Sequence, residues 1–203
     1  IAAVIMTLPY HMQRTPVGRL SGELAIQPNI PSLIQTMVQS VSDARRTIDW
    51  IETRPEFAKG KVGICGTSMG AIVSTLTLAV EPRIGPSCFF IGGTDIAHIL
   101  WNSSRTVSIR DDLRRRGYTE DRLREELAII EPTPRLMSRD LGPSLVVTAE
   151  FDTVVPSRSA ETLINSLDSP TVIRLKTGHF GGVLAQRSLL NAQSEFFHSY
   201  FSG

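Results

Sequence analysis

Apolar runs of strand length, rich in Val and Ile, alternate along this chain with longer stretches of helical period. Strands of that kind are apolar on both faces, and a parallel sheet covered by helices buries both. The fold class this predicts is α/β, a mostly parallel sheet with helices on both faces. The first strand is read at Ile1 to Leu8, and the loop after it, punctuated by Pro9 and Pro16, extends to Pro31. A helix is expected from Pro31 to Arg54, with Ile34, Val38, Val41, Ile48 and Ile51 on one face and Pro55 beyond its end. Further strands are expected at Lys61–Cys65, Cys88–Ile91, Ser144–Thr148 and Thr171–Leu175. Helices are expected from Ser68 to about Val80, from Ser157 to Leu167 and from Gly182 to Phe201. Between Thr94 and Asp140 the sequence is charged and helical without a clear strand, and reads as a small helical cap inserted over one edge of the sheet.

With 203 residues, 41% of them hydrophobic, the chain can bury one substantial core and reads as a single domain over 1–203. Twenty-one basic residues against twenty acidic ones leave a formal charge of +1, which argues against nucleic acid or an acidic membrane surface as partner and for a small-molecule ligand. The run Arg114-Arg115-Arg116, with Arg110, Arg122 and Arg124 nearby, is interleaved with Asp111, Asp112, Glu120, Asp121, Glu125 and Glu126, as on a solvated helical face. Cys65 and Cys88 lie in apolar stretches and read as small buried hydrophobes, which favours a reducing, cytoplasmic setting. No apolar segment approaches the roughly 20 residues needed to span a bilayer.

The strongest chemical signal is Gly66-Thr67-Ser68-Met69-Gly70, a G-x-S-x-G sequence between an expected strand and an expected helix. A sharp turn there lifts the serine hydroxyl clear of the sheet towards a base that can take its proton. The flanking glycines are expected because side chains would collide in so tight a turn. Helix onset after Ser68 aims backbone N–H groups at the reacting oxygen, with Met69 as the expected oxyanion donor. The same five residues also fit close strand-to-helix packing with Ser68 as a helix cap, so the rest of the chain has to decide.

An acid and then a histidine, each beyond a later strand, would complete a triad in the order such scaffolds use. Both are present: Asp152 follows Ser144–Thr148 in Ala149-Glu150-Phe151-Asp152, and His179 follows Thr171–Leu175 in Thr177-Gly178-His179-Phe180. Asp95, after the strand ending at Ile91, is a reserve acid that also suits a helix cap. Glu150 reads as a loop residue, His98 as a surface residue of the cap and His198 as structural.

On these motifs the chain resembles the α/β-hydrolase superfamily, of the esterase or dienelactone-hydrolase-like kind. In that superfamily the Asp of a D-x-x-V-P segment orients the histidine, which Asp152, Val155 and Pro156 match, and the histidine sits in a Gly-His turn before the last helix, which Gly178-His179 matches. The resemblance implies Ser68, Asp152 and His179 as the triad of a serine esterase that needs no cofactor or metal. Leu8-Pro9-Tyr10-His11-Met12-Gln13-Arg14 resembles the superfamily's oxyanion loop, with Met12 where the usual glycine stands, so that either Met12 or Gln13 supplies the second N–H. His11 then shapes the loop and Arg14 anchors it. The superfamily's sheet carries strands ahead of that loop, which implies that this chain is a fragment without its early edge strands and inclined to self-associate through an uncovered edge. Acyl-peptidase, thioesterase and acyltransferase activity would use the same triad, and a non-catalytic binding protein would keep the fold alone.

Overall fold

Runs such as Leu145-Val146-Val147 can be satisfied only between two layers, and that is where they lie. A computed structural model describes residues 1–181 and 186–202. Four strands, β1 (Val62–Thr67), β2 (Ile84–Phe90), β3 (Ser144–Ala149) and β4 (Thr171–Leu175), form an all-parallel sheet in the order β1-β2-β3-β4. Every residue of β3 is buried. Alternate side chains part to the two faces, as strand geometry requires. Phe89 and Val146 meet Leu78 of α2 (Met69–Leu78) and Leu163 of α7 (Ser157–Asn165), whereas Cys88, Phe90, Leu145 and Val147 meet Phe197 of α8 (Gln186–Phe201). A sheet built strand by strand with crossovers of one hand puts the connecting helices on one side, which leaves the other side to the terminal helix.

Helix α1 (Ile30–Glu52) starts where Asn29 accepts a hydrogen bond from the Ser32 N–H at 3.0 Å and Pro31 fits the first turn, which needs no donor there. Its buried stripe is Ile30, Leu33, Met37, Ala44 and Ile48. Ile48 of the expected face belongs to it and Ile34, Val41 and Ile51 are half-buried against the core, whereas Val38 is 54% exposed. Residues 94–140 are helical as expected, with α3 (Ile96–Asn102), α4 (Val107–Arg115), α5 (Glu120–Leu127) and α6 (Thr133–Met137). Leu113, Leu123 and Leu127 of this segment share a core with Leu33 and Met37 of α1 and with Ile72 and Leu76 of α2. The segment therefore sits on helices as well as beside the sheet. Several of its arginines are neutralised locally: Arg115 and Arg116 pair with Asp112, Arg122 with Glu126, and Arg124 with Glu120, Asp121 and Asp95.

Two expectations are overturned. Ile1 to Leu8 is not a strand: it has no ladder partner among the described residues, and Ile1 and Ile5 are exposed. An apolar run has strand potential, but only a neighbouring strand satisfies its backbone groups. Cys65 is not buried either. It pairs in register with buried Cys88, but on edge strand β1, where it is exposed and free. The helix expected from Gly182 is described from Gln186, and residues 182–185 lie outside the described residues.

Candidate active site

The carboxyl ends of β1, β3 and β4 each release a loop, and one side chain from each loop enters a single hydrogen-bonded chain. Open parallel sheets gather their chemistry at this end. Ser68 follows β1 directly, and its N–H donates to the Phe90 carbonyl of β2 at 2.8 Å. Its backbone has φ 53° and ψ −115°, a conformation that costs a non-glycine residue of order 1–3 kcal/mol and so has to be held by its surroundings. The crowding behind it is severe: a Cβ on Gly66 would lie 2.2 Å from the Gly70 carbonyl oxygen. Gly70 itself has open space around its Cβ position, so only the first of the two glycines meets the expected collision.

Although Ser68 occupies the N-cap position of α2, its side chain makes no capping bond. The hydroxyl is instead 2.8 Å from His179 Nε2, and His179 Nδ1 is 2.7 Å from Asp152 Oδ2. Both partners are sequestered, with side-chain exposures of 5% for His179 and 3% for Asp152. The other carboxylate oxygen, Oδ1, accepts the N–H groups of Val154 and Val155, each at 2.8 Å. A carboxylate held by three donors has one orientation. Since it can only accept, Nδ1 carries the imidazole proton and the lone pair of Nε2 faces the Ser68 hydroxyl. The two loops are joined as well: Glu150 N–H donates to the Leu175 carbonyl and Phe151 N–H to the Thr177 carbonyl. Chemically, the arrangement can draw a proton from Ser68 and return it to another oxygen.

The remaining candidates sit elsewhere. Asp95 accepts the His98 N–H at the start of α3 and pairs with Arg124. His98 is hydrogen-bonded to Glu120 at 2.9 Å, and His198 lies exposed on α8 beside Ser202. In the segment after Leu8, Arg14 donates to the Thr7 carbonyl and to Asp43 of α1, and His11 Nδ1 meets the Pro9 carbonyl. Met12 N–H is already engaged, since it donates to Ser21 Oγ at 2.9 Å, and Gly22 N–H closes the same contact on the Tyr10 carbonyl. Ser21 escaped the sequence reading because nothing local links it to Met12. Tyr10, Met12, Ser68 and Ile91 all have positive φ, and this backbone strain also left no sequence signal. A cavity of about 150 Å³ lined by Met37, Val41, Leu76 and Ile130 takes in none of the three linked side chains.

Comparison with solved structures decides the fold. An acetyl xylan esterase from Paenibacillus sp. R4 superposes with a TM-score of 0.65 at 16% identity, over 89% of this chain and 59% of that one. The alpha/beta hydrolase GrgF from Penicillium sp. sh18 gives 0.61 at 14% identity, over 82% and 73%. The chain has the α/β-hydrolase fold. This chain spans less than two thirds of the esterase's length. Residues 21–108 match the X-Pro dipeptidyl-peptidase (S15) family, a stretch that holds Ser68 and stops short of Asp152 and His179. The uncharacterized protein YdjC of Bacillus subtilis (strain 168) is 27% identical over 101 residues, 50% of this chain and 87% of YdjC.

Proposed function

We propose that the protein is a serine hydrolase that cleaves carboxylic esters through an acyl-enzyme on Ser68. The observation that carries this reading is the Ser68–His179–Asp152 chain, at 2.8 and 2.7 Å, in which the serine at a helix start leaves the helix uncapped and keeps its hydroxyl on the imidazole. His179 Nε2 takes the hydroxyl proton as Oγ attacks the ester carbonyl, while Asp152 holds the tautomer and stabilises the imidazolium. Met69, first residue of α2, offers the developing oxyanion a backbone N–H that no helical carbonyl claims. With Met12 N–H given to Ser21, Gln13 is the better of the two candidates for the second donor. His179 then protonates the leaving alcohol, and water, activated in the same way, releases the acid and restores Ser68.

Replacing Ser68 by Ala abolishes both covalent labelling by a fluorophosphonate and turnover of p-nitrophenyl acetate and butyrate. Labelling that persisted at the wild-type rate would overturn the assignment. The match of residues 21–108 to X-Pro dipeptidyl-peptidases favours one second reading, amide cleavage by the same three residues. An Xaa-Pro p-nitroanilide assayed beside the esters separates the two.

A further inference from the structure

Of the eight phenylalanines in the chain, two are exposed, Phe151 and Phe180. The first immediately precedes Asp152 and the second immediately follows His179. Single exposed apolar side chains are ordinary on a protein surface. Here, however, the two barest Phe, Tyr or Trp rings among the described residues, at 62% and 68% exposed against 45% for Trp50 and 47% for Tyr200, are the ones that border the proposed acid and base. Phe180 is 68% exposed and packs edge-on against the His179 imidazole, with ring centroids 5.1 Å apart and planes at 83°. The same imidazole lies 2.8 Å from the Ser68 hydroxyl through Nε2. Any group leaving the acyl carbon has to receive its proton from that nitrogen, so it departs along the imidazole.

We infer that Phe180 is a specificity-determining residue that lines the leaving-group side of the site and selects esters of apolar alcohols. The inference rests on the reading of Ser68 as nucleophile and adds the class of alcohol to it. An alkyl or aryl group departing past His179 covers the exposed ring and removes apolar surface from water, which a short or polar alcohol cannot do.

The test uses ethyl, butyl and hexyl acetate, which share one acyl group and have alcohols of similar acidity, with acid release followed by titration. For the intact protein, kcat/KM rises from ethyl to hexyl acetate. In Phe180→Ala the hexyl-to-ethyl ratio falls about tenfold, the discrimination typical of a lost apolar contact, and Phe180→Leu recovers most of it. Because the ring is exposed, both variants fold, and their thermal midpoints stay near that of the parent. An unchanged ratio in Phe180→Ala overturns the inference. So does an equal loss across all three alcohols, which would mean that the ring only positions His179. Failure of the intact protein to turn over any ester would strike the proposed function instead, and the Ser68→Ala control keeps the two failures apart.

Discussion

At the scale of single residues, Asp152 shows how much orientation matters. Its Oδ1 is occupied by Val154 and Val155 N–H groups, and only Oδ2 remains for His179. Asp152→Asn keeps the shape but puts an NH₂ group in the network, and a donor facing Nδ1 turns the imidazole to the wrong tautomer. The expected result is a fall in kcat of about 10⁴-fold with the fold intact, read from steady-state kinetics beside an unfolding curve. Loss by less than tenfold would remove Asp152 from the proposed mechanism. The pairing was legible in the sequence because each partner stands in a short motif at a strand end. Ser21 was not, since its contact with Met12 exists only once the loop has folded back nine residues.

At the scale of elements, the turn from β1 into α2 depends on one glycine more than the other. A Cβ on Gly66 meets the Gly70 carbonyl at 2.2 Å, which backbone cannot relieve without moving Ser68. Gly66→Ala is expected to destabilise by about 3 kcal/mol, as overpacking against a fixed group does, and to disrupt the Ser68 geometry. Gly70 is helical with open space beside it, so Gly70→Ala stabilises by about 0.5–1 kcal/mol through the unfolded chain. Thermal or urea unfolding of the two variants checks the contrast, and similar effects from both would refute it. The pattern G-x-S-x-G treats the two glycines alike. Only the packing of the turn separates them.

At the scale of the whole molecule, a buried carboxylate ties the sheet to its longest helix. Glu81, 1% exposed, accepts from Arg83 and Arg45, and Arg83 reaches on to Asp49 and Glu52 at the end of α1. The Arg83 guanidinium, against the opposing effect of burial, holds the Glu81 carboxyl down to about 2 from its ordinary 4.5. A carboxyl whose pKa is depressed by folding contributes stability above its unfolded value and loses it as pH falls through the folded one. Glu81→Gln is therefore expected to cost about 1–3 kcal/mol at pH 7, with the gap to the parent closing between pH 4.5 and about 2. Urea unfolding at several pH values measures it, and a gap independent of pH would exclude the ion pair as its source.

The sequence by itself determined the α/β class, the four strands β1 to β4, and the order Ser68, Asp152, His179, because periodicity and turn chemistry are local and survive reading one residue at a time. Tertiary structure decided what depends on neighbours. Whether Ile1–Leu8 forms a strand turns on a partner for its backbone, whether Cys65 is buried turns on the place of β1 at the sheet edge, and whether Val38 of α1 is covered is set by what packs on that helix. The hydroxyl of Ser68 illustrates both: its place at the start of a helix was readable, but that it faces His179 and not the helix is a fact of three strand ends meeting.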